Sequence, residues 1–252
     1  MNKQEQLNQL FKEWKNAHHL EPDESLKKTI NGKYIDKDFF EKDGIIDEVA
    51  YLNEKTKVLF ISAEANADEY NAKNGIKETD YCKVYIDYYY SGKDDWKGKM
   101  RERLSAIYGC ITNQPEMPFH ELANRFAVMD LNKRGGKSTL DGGEHIKHYV
   151  EYYKEYIKKE IEIINPDLVV WIGLNICHLG IPSLLGFEYK NDVLLFKINE
   201  KIVPSITIWQ TSYYQARIEP IPNYKNRIIG KLCAKAKLEM DYLNYKLKDC
   251  LL

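Results

Sequence analysis

Four short apolar runs set the limits on what this chain can fold into. They are Val58–Ile61, Phe126–Met129, Leu168–Ile172 inside Asp167–Gly173, and Ile206–Trp209. A strand buried on both faces reads as a continuous apolar run, whereas one with a solvent face alternates. Between the runs lie segments of helical spacing at about 97–110, 143–164 and from Leu174, and a long helical pattern closes the chain at roughly 223–248. Strands alternating with helices predict an α/β domain whose parallel sheet is covered on both faces. A further pair, Val193–Ile198 and Ile202–Ile206, predicts a hairpin around Asn199-Glu200.

The first fifty residues read differently. Leu7, Leu10, Phe11 and Trp14 recur at helical spacing, and a polar stretch from Glu21 to Asp38 follows, with Asn31-Gly32 as a turn. Too poor in apolar residues for a core of their own, residues 1–50 are expected to form a mainly helical N-terminal arm on a main domain at 51–252. Lys and Arg total 37 against 38 Asp and Glu, so the chain is not basic overall. Any nucleic-acid contact must come from local lysine clusters, such as those at 93–103, 133–137 and 225–237. No apolar run is long enough for a membrane span, and the opening MNKQEQLNQLFKEW lacks the apolar stretch of a secretory signal. Five scattered cysteines suggest reduced thiols. Together these predict a cytoplasmic protein with no membrane partner.

In parallel sheets, ligands bind beyond the carboxyl ends of the strands. The informative residues are therefore Ser62–Glu69, Asp130–Gly136, Gly173–Asn175 and Gln210–Gln215. Glu64 and Asn66 place an acid and an amide two apart, immediately after a strand. Glu64 can position water and Asn66 can hydrogen-bond a base or sugar; a helix N-cap at Asn66 fits equally well. Gly136-Lys137-Ser138 suggests a phosphate loop, but Leu131 stands where that motif needs its first glycine. Lys133, Arg134 and Lys137 still gather charge suited to phosphate. The turn after the first strand has no glycine-rich dinucleotide fingerprint. His145 and His148 lack a third metal ligand, and no Cys-x-x-Cys occurs, so neither metal nor cofactor is expected. The chain holds 19 tyrosines, densest at Tyr81–Tyr90. With Trp96 these rings can stack on bases, although Tyr81, Tyr85 and Tyr88 also follow the spacing of a packed helix face.

Four of these places, taken in order, resemble the uracil-DNA glycosylase-like superfamily, above all its thermostable bacterial branch. That branch reads G-E-A-P-G-A-D-E where this chain has Ala63-Glu64-Ala65-Asn66-Ala67-Asp68-Glu69 after a strand. Its N-V-V-K is matched by Asp130-Leu131-Asn132-Lys133, and its P-x-x-[IV]-[IV]-x-L-G by Pro166–Gly173. Its H-P-S is matched by Gln210-Thr211-Ser212. The match spans roughly residues 55–220. The resemblance implies a three-layer α/β/α sandwich around a central four-stranded parallel sheet. It also implies hydrolysis of the N-glycosidic bond of a flipped-out uracil or related damaged base in DNA, single- or double-stranded.

By position, the resemblance makes Glu64 the residue that orients water and Gln210 the donor to the departing base. It gives base contacts to Asn66, Asp130 and Asn132, with Tyr90 or Trp96 as the stacking ring. Lys133, Arg134 and Ser212 would contact phosphates. Glutamine replaces the family's histidine at 210, and aspartate its asparagine at 130. A neutral glutamine stabilises an anion less than a charged histidine. These changes leave open a second expectation: a weakly active or inactive module binding nucleic acid, or a free nucleobase or nucleotide, on the same fold. The cysteines lack the spacing of that branch's iron–sulfur cluster.

Overall fold

A computed structural model of the chain describes residues 1–29, 37–66, 74–92, 100–136, 143–208 and 224–250. The chain begins with α1 (Lys3–Leu20) and α2 (Asp23–Thr29), then β1 (Phe40–Lys42), β2 (Gly44–Ile45), α3 (Glu48–Asn53) and β3 (Val58–Asn66). Next come β4 (Glu78–Asp80), α4 (Tyr81–Ser91), α5 (Met100–Ile111), α6 (Phe119–Leu122) and β5 (Ala127–Gly136). The long α7 (Glu144–Ile164), β6 (Leu168–Ile172), α8 (Leu174–His178) and α9 (Ile181–Leu184) follow. The last elements are β7 (Glu188–Lys190), β8 (Val193–Ile198), β9 (Lys201–Ile208) and α10 (Tyr224–Cys250).

The main sheet has seven strands in the order β2-β5-β3-β6-β9-β8-β7, and β1 pairs with β4 in a separate two-stranded sheet. Within the main sheet β5, β3, β6 and β9 run parallel. An antiparallel β2 flanks β5, and antiparallel β8 and β7 lie beyond β9. The expected central four-stranded parallel sheet is thus corrected to a seven-stranded mixed one. Two causes stand out. Gly44-Ile45 is too short to carry a periodic signal, yet it pairs with Val128 and Ala127. The expected hairpin widens the sheet: its second arm and the fourth apolar run are one strand, Lys201–Ile208, paired with β8 on one side and β6 on the other.

Alternation along the central strands sends side chains to two cores. Leu59, Ile61, Met129, Val169 and Trp171 meet α1 and α7 on one face. Val58, Phe60, Val128, Val170 and Ile208 meet residues of α4, α5, α6 and α10 on the other. Helix α1 starts at a capping box between Asn2 and Glu5, and Glu48 accepts from the backbone N–H groups of Lys3 and Gln4 at 2.9 and 3.0 Å. Those contacts satisfy donors that a helix start leaves free. Its Trp14 is wholly buried, with the rings of Phe40, Tyr149, Tyr153 and Tyr156 at 5.6–6.3 Å. Full burial of a large apolar side chain stabilises by about 1.5–3 kcal/mol, so α1 is integral to this core. At the far end of α7, Asn165 takes a left-handed conformation and Pro166 prevents continuation, which delivers the chain into β6.

Candidate functional site

Parallel pairing brings the carboxyl ends of β3 and β5 side by side. Ser62 lies opposite Asp130, Glu64 opposite Asn132, and Asn66 opposite Gly136, with a register shift between Glu64 and Asn66. Four residues expected from the sequence, Glu64, Asn66, Asp130 and Asn132, therefore share one stretch of two neighbouring strands.

Asp130 is 2% exposed and is the centre of an acidic cluster. The Ser62 hydroxyl donates to its Oδ1, and its own backbone N–H donates to Asp43 Oδ2 at 2.6 Å. Burial, then repulsion from Asp43, pushes the Asp130 carboxyl up to about 6, against the opposing hydrogen bond from Ser62 and the charge of Lys133. Glu41, on β1, is held well above the ordinary carboxylate range by burial and by Asp130 and Asp43, and it accepts from Thr79 Oγ1 at 3.0 Å. Burial and the same acids also raise the Tyr81 phenol at the start of α4. Carboxyls raised in this way hold a proton to higher pH than ordinary ones, and a protonated carboxyl donates as well as accepts. A planar ring edge carrying adjacent N–H and C=O groups needs both from its partner.

Asp43 also borders a surface cleft of about 420 Å³ between α1 and the start of α4, lined in part by Asn8, Phe11, Asp80 and Lys83. The volume is in the range of small-molecule sites.

Lys133 and Arg134, expected at phosphates, have no exposed surface. Lys133 Nζ lies 2.5 Å from Asp43 Oδ1 and 2.9 Å from Glu160 Oε2. Burial acts to lower this ammonium, but Asp43 and Glu160 outweigh it and hold it above its ordinary value. Burial and Asp43 keep Glu160 well above the ordinary carboxylate range. Arg134 Nη2 is 2.5 Å from Glu21 Oε2 and 3.2 Å from the Tyr153 hydroxyl, and Nε donates to the Lys37 carbonyl at 2.8 Å. Both cations fasten the first forty-three residues to β5. A nucleic-acid phosphate could engage either one only by displacing these carboxylates.

Tyr90 is 76% exposed at the end of α4. It stands nine residues beyond Tyr81, roughly 13 Å along the helix axis, so it is not brought to the cluster. Trp96, Gln210 and Ser212 lie outside the described residues. Sequence reasoning passed over Glu41, Asp43 and Glu160 as site members; Ser62 lay in the stretch singled out after the first strand and Tyr81 in the run of candidate stacking rings, but neither was given a place beside Asp130. Among the described residues no group of three His, Cys, Asp or Glu side chains is arranged to hold a metal ion.

No family model matches the chain, and a search of curated proteins finds no match either. With a seven-stranded mixed sheet in place of the four-stranded parallel one, the specific assignment to a bacterial uracil-DNA glycosylase of DNA repair is set aside.

Proposed function

We propose that this protein binds a nucleobase at the carboxyl ends of β3 and β5, and that hydrolysis of an N-glycosidic bond is the reaction attached to that binding. The observation that carries the reading is Asp130, raised to about 6 and held against Ser62 in register with the Glu64–Asn132 pair. In this reading Asp130 meets the edge of the base, and Glu64 orients the attacking water. The ion pairs of Lys133 and Arg134 favour a free nucleobase or nucleoside over a base held in DNA. A DNA partner would instead meet Lys231 and Lys237, both exposed on α10.

The test is a thermal-shift series with uracil, hypoxanthine, xanthine and their nucleosides. Chromatography of released base, and alkaline cleavage of oligonucleotides carrying the same bases, would run alongside. A ligand at a hundred times its Kd stabilises by about 2.7 kcal/mol, which for a chain of this size raises Tm by roughly 5–10 °C. Asp130→Asn is expected to lose most of that shift. If no base or nucleoside moves Tm and none is released from any substrate, the reading fails. A Tm shift without release leaves a binding module, and salt-dependent retention of the oligonucleotides identifies DNA as partner.

A further inference from the structure

We propose that Cys110 and Cys233 form a redox-modification site, a vicinal thiol pair across the α5–α10 interface that closes to a reversible disulfide when a hydroperoxide reaches it. The two helices pack through small residues: Ala106 and Ala236 are buried at their junction, beside Leu232. That close approach lets the Cys233 Sγ lie 3.5 Å from the Ala106 carbonyl oxygen, a backbone atom of the opposite helix. Residues four apart on a helix share one face, so Ala106 and Cys110 both address Cys233. Both cysteines are partly exposed and free, and each thiol shifts the titration of the other.

The two sulfurs differ in chemistry. The hydrogen bond from Cys233 lowers the Cys110 thiol in spite of burial, with help from the nearby Lys237 ammonium. The same hydrogen bond and burial raise the Cys233 thiol. Cys110 is therefore the attacking thiolate and Cys233 the resolving thiol. In the first step the Cys110 thiolate attacks the distal peroxide oxygen. The O–O bond breaks, Cys110 becomes a sulfenic acid, and the leaving alkoxide or hydroxide takes a proton and departs as alcohol or water. In the second step Cys233 sulfur attacks the sulfenic sulfur, the S–O bond breaks, and water leaves with the Cys233 proton. Two thiols are oxidised by two electrons and the peroxide is reduced by two. The other thiols with described side chains are less suited. Burial raises Cys82, and Cys177, also raised by burial, is engaged with the Thr207 hydroxyl at 3.3 Å.

The experiment treats the full chain with hydrogen peroxide and follows intact mass and non-reducing peptide maps. The expected product has lost two hydrogens, carries a Cys110–Cys233 linkage and reverts with dithiothreitol. Cys110 should react on the order of tenfold faster than Cys82. Cys233→Ser is expected to stop at a sulfenic acid on Cys110 that dimedone traps, whereas Cys110→Ser should give neither product. Circular dichroism of the reduced variants establishes that each is folded. A linkage between any other pair, equal reactivity of Cys82 and Cys110, or oxidation with no linked peptide would overturn the proposal.

Discussion

Replacing Lys133 with methionine isolates the contribution of one buried charge. Methionine keeps most of the side-chain volume, so packing around Phe11 and Trp14, whose rings lie 5.5 and 5.3 Å from the ammonium, changes little. What disappears is a cation with two carboxylate contacts, at 2.5 and 2.9 Å, in a trio with no exposed side-chain surface. Removing one partner of a buried ion pair costs about 3–5 kcal/mol, because the other charge stays buried without compensation. Net stabilities of domains are about 5–15 kcal/mol, so the loss is large. It corresponds to a drop in Tm of roughly 6–20 °C. The pH dependence supplies a signature. The Lys133 pKa is raised by its partners. Its contribution is therefore complete below the ordinary lysine value of about 10.4 and fades only as pH rises beyond it. In the variant, the orphaned carboxyls relieve their burial by taking up protons. Its stability therefore falls as pH rises above about 4–5, by up to about 1.4 kcal/mol per pH unit for each proton. Urea unfolding of both proteins, followed by tryptophan fluorescence, is expected to show a wide gap at pH 8 and a narrow one at pH 5. A gap below about 1 kcal/mol at pH 8, or one of equal size at both pH values, would refute the reasoning.

Asp130→Asn is expected to act with the opposite sign. The carboxyl moves from 3.8 to about 6 on folding, so the wild-type chain loses roughly 3 kcal/mol as pH climbs through that window. The amide does not titrate, and the variant should melt at or above the wild-type temperature at pH 8 while matching or trailing it at pH 4; a parallel pH profile for the two would count against this. Arg134→Met cuts the ties to Glu21 and to the Lys37 carbonyl. A loss of about 3–5 kcal/mol is expected, with limited proteolysis attacking residues 1–40 first; uniform digestion would argue against the clamp. Gly44 sits at φ +106°, and a Cβ there would lie 2.9 Å from Leu7 Cδ1. Gly44→Ala should therefore destabilise by roughly 1–3 kcal/mol in chemical denaturation, and an unchanged midpoint would show the β2–α1 contact to be loose.

The central strands were legible because their burial on both faces leaves an unbroken apolar run, as in Leu168–Ile172. Helix α1 was legible for a related reason: Leu7, Phe11 and Trp14 mark its single buried stripe. The edges of the sheet were not. Gly44-Ile45 is a strand only because Ala127 and Val128 offer it backbone partners, and no local pattern records that. The tyrosine run shows the ambiguity of aromatic signals. Tyr85 and Tyr88 are at 0% and 1% exposure inside a core, whereas Tyr90, two residues on, is in solvent. The charges at 133 and 134 were visible but their meaning was not. Their roles depend on acids far away in sequence, with Glu160 27 residues and Asp43 90 residues from Lys133. A local reading sees an excess of positive charge where the folded chain has a neutralised one. The pairing of Glu64 with Asn132 required strand order, which apolar runs alone do not give.

The two-residue strand β2 has a consequence out of proportion to its length. It pairs with the first two residues of β5, a ten-residue strand, at the sheet's first edge. The opposite edge ends in β7, three residues that are all exposed and include Glu188 and Lys190. Short, charged rims of this kind give an incoming chain little to add to. A cut in the chain just after Ile45 that released the segment before it would leave the outward-facing N–H and C=O groups of Val128 open as a template. The N-terminal segment thus shields a strand edge as well as filling the core, and its loss is expected to show as aggregation accompanying the unfolding that removal of Trp14 and of the partners of Lys133 and Arg134 brings.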